Sequence, residues 1–249
     1  MSNPVFSEKV FSRTAADQAS GVMTIKGTIT KTFILTLMVF LGAAYTWKIF
    51  NEAINPSSVT PWLWGGLIGG FVMAIIISFR PKLAQYLAPI YAILEGFFLG
   101  AVSAMFNNAF AATAPGIVVN AIILTLMVTL AMLFIYRTNI IKVDGKFAKI
   151  MFMAISAIAL YYILNIVLSL FGVNLAMLHD GGLLSIGISI VIVVVAAFTL
   201  LLDFNFIEKA SYAGAPKYME WYGAFGLMVT LVWLYLEILK LLAKFANRS

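Results

Sequence analysis

Long apolar stretches separated by short polar breaks run through the chain from residue 32 onward. A helix needs about 20 mostly apolar residues to cross the hydrocarbon core of a bilayer. Such stretches occur at 32–50, 62–79, 83–106, 116–136, 150–173, 183–205 and 219–245. Apolar and polar residues do not alternate as they would in a transmembrane β-barrel. The pattern therefore predicts an all-α integral membrane protein, a bundle of seven transmembrane helices.

Turn-forming residues mark the breaks between these stretches. Pro, Gly, Asn and Asp interrupt helices or begin turns. They cluster at 55–58, 80–82, 114–116, 144–146, 180–182 and 214–216. No apolar core follows the basic start of the chain, so we expect no cleaved secretory signal. The sequence predicts a polar N-terminal tail over 1–30 and a membrane domain over 31–249.

Composition narrows the class of protein further. Of the 249 residues, 63% are hydrophobic and 10% are charged, and the mean hydropathy is +1.02. Soluble domains carry about 25% charged residues. A soluble enzyme and a disordered chain are therefore excluded. Because the chain has no cysteine, disulfides, thiolate metal sites and cysteine catalysis are excluded as well.

The distribution of Lys and Arg predicts the orientation, because cytoplasmic loops carry an excess of both. With the N-terminus in the cytoplasm, twelve of the 16 basic residues lie inside. Lys48, Lys240, Lys244 and Arg248 lie outside. The three near the C-terminus oppose an outside C-terminus, so a last helix that does not cross fully stays an alternative.

Three acidic residues fall within or at the edge of the apolar stretches, namely Glu95, Asp203 and Glu237. A charge at the centre of a membrane helix costs about 2.5–3.5 kcal/mol on insertion scales. Such residues face the bundle interior and mark routes for ions or protons. Two neighbouring carboxylates would share a proton near neutral pH, or offer hard oxygen ligands to a cation such as Ca²⁺.

Each acid also has a purely structural interpretation. Lys240 follows Glu237 by three residues and could neutralise it on the same helix face. Asp203 could be an interfacial acid beside Glu208. Glu95 could be a protonated, hydrogen-bonded core residue.

Enzyme classes find little support in the sequence. It contains neither the Gly-x-Gly-Asp setting of intramembrane aspartyl proteases nor the Gly-x-Ser-Gly of rhomboid-like ones. The single histidine, His179, lies in a polar break. We expect no enzyme activity, no tightly bound cofactor and no nucleic-acid partner.

The segments around two of the acids resemble a known family. Asp203 lies in Leu-Leu-Leu-Asp-Phe-Asn and Glu237 in Leu-Tyr-Leu-Glu-Ile-Leu-Lys-Leu-Leu. Both resemble the last two spans of the Bax inhibitor family, also called the transmembrane Bax inhibitor motif family. The resemblance covers roughly residues 30–245 and includes the Glu95-Gly96 pair. The opening residues 3–6 and the stretch 215–222 are similar to the bacterial YccA-like branch.

The resemblance implies a bundle with a central C-terminal helix, in a bacterial inner membrane. It implies a pH-dependent leak channel with Ca²⁺ as the permeant ion. Asp203 and Glu237 would form the proton-sharing latch and the metal site, and Arg80 could pair with Asp203. YccA-like proteins are also associated with restraint of a membrane-bound ATP-dependent protease. An interaction protein that uses its polar tail is thus the alternative function.

The depth of the two acids bears on which residue partners Asp203. Asp203 lies shortly before the turn between the last two helices, whereas Glu237 lies well after it. In straight helices their depths would differ by roughly 20 Å. A break near Gly223 or Gly226 would bring them level. Otherwise Glu220, just past the turn, is the alternative partner.

Overall fold

Seven long α-helices account for most of the structure, a computed structural model that describes residues 21–53, 56–171 and 182–248. They are α1 Ile25–Glu52, α2 Thr60–Phe79, α3 Ala84–Ala109, α4 Ile117–Arg137, α5 Gly145–Leu170, α6 Leu183–Tyr212 and α7 Met219–Ala246. Short 3₁₀ segments, Pro56–Val59 and Pro81–Leu83, precede α2 and α3. All seven helices are long and apolar enough to cross a membrane. The predicted all-α membrane protein with seven spans is confirmed.

Local chemistry sets the helix boundaries. Thr24 caps α1 by accepting a hydrogen bond from the Gly27 amide, and Asp144 caps α5 in the same way through Phe147. Such caps satisfy amides that have no partner inside the helix. Between α2 and α3, Pro81 disfavours a helical conformation of the residue before it. Pro81 and Asp144 lie in breaks that the sequence indicates, whereas Thr24 lies within the segment predicted as a polar tail.

Two helices extend beyond their apolar cores. The helix α1 begins at Ile25, inside the segment predicted as a polar tail, and α6 continues to Tyr212, seven residues past the predicted 205. A hydropathy pattern locates only the part of a helix in hydrocarbon, whereas polar turns continue it into the interface. Residues 1–20 of the predicted tail lie outside the described residues, as does His179.

The chain divides into two compact units. One consists of Met1–Ala101 and Phe206–Met228, and the other of Val102–Asn205 and Val229–Ser249. The first holds α1, α2 and most of α3, and the second holds α4 and α5. The helices α3, α6 and α7 contribute a part to each.

Glycines bring helices of the first unit into close contact. A Cβ atom added to Gly42 of α1 would lie 2.7 Å from the Ile93 carbonyl oxygen and 3.1 Å from Cα of Gly96 in α3. A Cβ on Gly66 of α2 would lie 2.8 Å from the Phe98 nitrogen. Small residues let membrane helices approach at backbone distance. Gly42 and Gly66 therefore allow close packing against α3, whereas a Cβ on Gly65 would have nothing within 4 Å.

Burial differs strongly between the helices. About half of the most apolar window of α3 is buried (50%), followed by α7 at 44% and α6 at 39%, against 6% for α5. Large apolar side chains of α5 such as Phe152 and Leu160 are exposed. In hydrocarbon these faces meet lipid rather than water. The helices that carry Glu95, Asp203 and Glu237 thus have the most buried apolar windows of the seven described helices.

Candidate functional site

Among the described residues, Asp203 has a hydrogen-bond contact with one side chain of the second unit. It lies in α6, and the Thr230 side chain of α7 hydrogen bonds its carboxyl group. Its Oδ2 atom is buried and has no hydrogen-bond partner among the described residues. A buried acceptor without a donor is uncommon, because its desolvation is not offset. The unused oxygen makes Asp203 the candidate acceptor for a proton or cation.

Glu237 lies two helical turns beyond the residue that meets Asp203. The seven residues from Thr230 to Glu237 correspond to about 10 Å of helix rise. The helix α7 is continuous from Met219 to Ala246, with no break at Gly223 or Gly226. The described partners of Asp203 and Glu237 are therefore different residues. Their pairing as a latch or metal site stays a prediction.

Glu237 is buried and has two partners of its own. The Tyr162 hydroxyl donates to its Oε1 and Oε2 atoms at 2.9 and 3.0 Å. The Lys240 ammonium forms an ion pair with Oε1 at 2.9 Å and lies 4.9 Å from the centre of the Tyr162 ring. The sequence left open whether Lys240 neutralises Glu237, and the structure contains this ion pair.

Sequence reasoning missed Tyr162. The sequence feature that could have identified it is a tyrosine hydroxyl within an apolar span, next to a second tyrosine. Such a hydroxyl needs a partner in hydrocarbon, but the sequence does not say which acid supplies it.

A cavity adjoins this cluster within the second unit. Its volume is about 440 Å³, and Tyr162, Glu237, Lys240 and Lys244 are among the residues that line it. Lys244 is only 7% exposed. Its ammonium donates to Ser189 Oγ at 2.7 Å and to the Ser185 carbonyl at 3.2 Å. The region where the seventh helix ends is therefore rich in charge, although it lies at the end of an apolar span.

Glu95 lies in the first unit, packed against α2. The Tyr91 side chain, one turn earlier in α3, hydrogen bonds its carboxyl group, and the Tyr91 ring meets Phe225 edge-on at 5.0 Å. A Cβ on Gly70 would lie 3.1 Å from Glu95 Oε2. This is the environment expected for a hydrogen-bonded core residue. A gating role for Glu95 stays a prediction.

Arg80 directly follows α2 and is exposed. None of the ion pairs found in the described part of the chain includes it. An exposed guanidinium at a helix end is the position from which a long side chain reaches the interface. Its proposed pairing with Asp203 stays a prediction.

Glu220 forms a densely bonded cluster in the first unit. Its side chain is fully buried and forms ion pairs with Lys31 and with Lys217, the latter at 2.7 Å. Its Oε1 also accepts from the Thr24 amide at 2.9 Å and the Thr24 hydroxyl at 2.8 Å. We name Glu220, Lys31, Lys217 and Thr24 the Glu220 clamp. Binding of an ion by Glu220 would require these donors to leave.

The Glu220 clamp fastens the start of α1 to the turn between α6 and α7. Beside it, the Met23 amide donates to the Ala215 carbonyl at 2.8 Å and the Lys217 amide donates to the Gly21 carbonyl at 3.0 Å. Each oxygen of Glu220 thus has at least one donor within the first unit. Its predicted role as a partner of Asp203 gains no support from these contacts.

The described residues contain no cluster of side chains suited to a resident metal ion. No three His, Cys, Asp or Glu side chains come close enough there to hold a metal ion. This finding concerns tightly bound metal ions. It does not bear on a permeant cation, which needs only transient oxygen ligands.

Comparison with known sequences decides the family. A sequence model of the family described as Bax inhibitor 1 like matches residues 3–247. The chain belongs to the Bax inhibitor 1 like family. Searches of curated proteins and of solved structures gave no match. For this Bax inhibitor 1 like protein, the resemblance based on the Asp203 and Glu237 segments is confirmed, and so is its place among membrane proteins with seven spans.

Proposed function

We propose that this Bax inhibitor 1 like protein is a cation leak channel, with Ca²⁺ as the permeant ion and a carboxyl gate that responds to pH. The observation that carries the proposal is the environment of Asp203. This carboxyl group lies in an apolar membrane helix, and its buried Oδ2 has no hydrogen-bond partner among the described residues. An acidic group inside a membrane span marks an ion or proton route by default.

The contact between Asp203 and Thr230 is the proposed gate. An ionised Asp203 attracts cations and accepts the Thr230 hydrogen bond. Protonation removes the charge, so the contact between α6 and α7 changes strength. A proton that binds the closed and open states differently shifts the equilibrium between them. Only this differential binding is needed for a pH-dependent leak.

Flux into liposomes tests the proposal. Purified protein is reconstituted, and Ca²⁺ and K⁺ flux are compared below and above neutral pH. Wild type should conduct Ca²⁺ in a pH-dependent way, and Asp203→Asn should abolish the pH dependence. The matched control is Glu52→Gln, because Glu52 is an exposed carboxylate whose side chain is 69% accessible. If the Asp203→Asn protein has the flux and pH profile of wild type, the proposal is wrong.

The proposed setting is a bacterial inner membrane with a cytoplasmic N-terminus. Support comes from the excess of Lys and Arg in the segments on that side. Cysteines introduced at Lys26 and at Lys48, near opposite ends of α1, would react with an impermeant reagent from opposite sides of the membrane. Labelling of both from the same side would contradict the orientation.

A second candidate function is restraint of a membrane-bound ATP-dependent protease through the N-terminal tail. The Glu220 clamp favours it, because three donor–acceptor contacts join Thr24 and Lys31 to Glu220 of α7. A protease that pulls on residues 1–20 would meet this fastening first. Deletion of residues 2–19 should then abolish the restraint while Ca²⁺ flux persists. Restraint that survives the deletion would contradict this function.

A further inference from the structure

The cavity of the second unit lies near one end of four helices. Phe106 lies in the last turn of α3, and Phe110 directly follows that helix. Asn165 lies in the last two turns of α5, Ser189 in the second turn of α6, and Lys240 and Lys244 in the last two turns of α7. If consecutive helices cross the membrane in alternate directions, the ends of α3 and α7 and the start of α6 fall on the same side. With that arrangement, the cavity lies at the membrane interface where α7 ends.

Lys244 brings a buried ammonium group to this cavity, and none of the ion pairs found in the described residues includes it. Both of its hydrogen-bond acceptors, the Ser185 carbonyl and Ser189 Oγ, are neutral. An ammonium group has three donors, so one donor has no described acceptor. Burial of a charge is costly unless an opposite charge and hydrogen bonds offset it. Lys244 can therefore donate a further hydrogen bond to an anionic acceptor.

Neighbouring groups supply further hydrogen-bond donors and positive charge near Lys244. Ser185 is 2% exposed, and its hydroxyl has no hydrogen-bond partner among the described residues. The cavity also carries the second lysine, Lys240, while Glu237 supplies a single negative charge. Two positive charges against one negative charge leave the lining positive. The Asn165 amide lines the same cavity and can donate further hydrogen bonds.

Apolar groups form another part of the lining. The rings of Phe106 and Phe110 stack with their centres 6.1 Å apart, and Ile192 lies beside the cavity as well. A volume of about 440 Å³ is far larger than a single ion requires. Cationic and apolar walls in one interfacial cavity suit the headgroup of an anionic lipid.

We propose that this cavity binds a phosphate group, with Lys244 as its principal cation and Lys240 and Asn165 as further donors. The phosphate is carried by an anionic lipid headgroup or is free in solution. Lysine binds phosphate as a point charge, and the interface is where lipid phosphates are concentrated. The inference does not depend on channel activity.

Lipid binding to the purified full-length protein tests the inference. Native mass spectrometry is used to titrate dioctanoyl phosphatidylglycerol and dioctanoyl phosphatidylcholine separately. Both lipids carry a phosphate, but Lys240 and Lys244 repel the choline cation of phosphatidylcholine, so the anionic lipid should bind wild type about tenfold more tightly. Equal affinity of wild type for the two lipids would overturn the lipid source. To test whether free phosphate binds, inorganic phosphate is added alone and the change in the unfolding temperature is measured.

Matched variants locate the binding. Lys244→Met should lower the affinity for phosphatidylglycerol about tenfold, and Lys244→Arg should restore most of it. Lys48→Met removes the same charge at an exposed position and should leave the affinity unchanged. If Lys244→Met does not fold, Asn165→Leu is used instead and should lower the affinity for phosphatidylglycerol by a smaller factor. Equal losses in Lys48→Met and Lys244→Met would overturn the site, because the lipid would then follow net charge.

The two sources give different results. A thermal shift with inorganic phosphate that disappears in Lys244→Met, without preferential lipid binding, assigns the site to free phosphate. Preferential phosphatidylglycerol binding that inorganic phosphate does not displace assigns it to a lipid. If neither probe binds in a manner that depends on Lys244, the inference is wrong.

Discussion

Tyr162 of α5 donates its hydroxyl to both carboxylate oxygens of Glu237 in α7, at 2.9 and 3.0 Å. Lys240 completes the group through its ion pair with Glu237 and its position over the Tyr162 ring. A hydrogen bond to a charged group in a low-dielectric setting is stronger than one in water. Glu237 therefore acts as a junction between α5 and α7 in the second unit.

Removal of the Tyr162 hydroxyl should destabilise this junction. We expect Tyr162→Phe to lower the free energy of unfolding by about 1.5–3 kcal/mol, the range for hydrogen bonds to charged groups. Chemical denaturation in detergent measures it. Tyr161→Phe is the matched control, because the Tyr161 hydroxyl is buried with no hydrogen-bond partner in the described residues. If both variants lose the same stability, Tyr162 does not hold Glu237.

The Glu220 clamp should contribute strongly to the stability of the first unit. Glu220→Gln leaves Lys31 and Lys217 without their carboxylate, and loss of one partner of a buried ion pair costs about 3–5 kcal/mol. Partial exposure of both lysines places the expected loss near the lower end, about 3 kcal/mol. The measurement is the unfolding temperature in detergent.

An exposed ion pair provides the comparison for the clamp. Lys48 and Glu52 lie 3.9 Å apart, with side chains 71% and 69% exposed. Glu52→Gln should change stability by less than about 1 kcal/mol. A Glu220→Gln protein as stable as Glu52→Gln would show that the clamp contributes nothing beyond a surface pair.

Gly27 is the position in α1 that leaves room for the clamp. A Cβ atom there would overlap the Glu220 carboxylate. Gly27→Ala should therefore displace Glu220 and destabilise the protein by roughly 1–3 kcal/mol. Gly65→Ala is the control, since nothing lies within 4 Å of its Cβ position and alanine favours a helix by up to about 1 kcal/mol. A stabilising Gly27→Ala would contradict the placement of Glu220.

Thr230 offers a test of the proposed gate that leaves Asp203 intact. Thr230→Val removes the hydroxyl that hydrogen bonds Asp203, so the pH midpoint of Ca²⁺ flux in liposomes should move from its wild-type value. Thr199→Val is the control on the same helix as Asp203, because the Thr199 hydroxyl donates to the Val195 carbonyl of its own helix at 2.9 Å. An unchanged midpoint in Thr230→Val would remove this contact from the gate.

The sequence by itself determined the fold class, the number of spans and most of their boundaries. Proline, glycine and aspartate separate seven apolar stretches. Backbone groups in hydrocarbon must form their hydrogen bonds inside the protein, and stretches of this length and pattern do so as α-helices. The segments around Asp203 and Glu237 also sufficed for the family. These are local properties, and a linear sequence records them directly.

Only the tertiary structure decided which residue each acid meets. The sequence offered Glu237 and Glu220 as partners for Asp203, but the described contacts give Asp203 the Thr230 side chain, Glu237 the Tyr162 hydroxyl, and Glu220 two lysines. A partner in another helix depends on the rotation and axial shift of both helices. Packing of side chains along their whole length sets these two quantities, and hydropathy does not encode them.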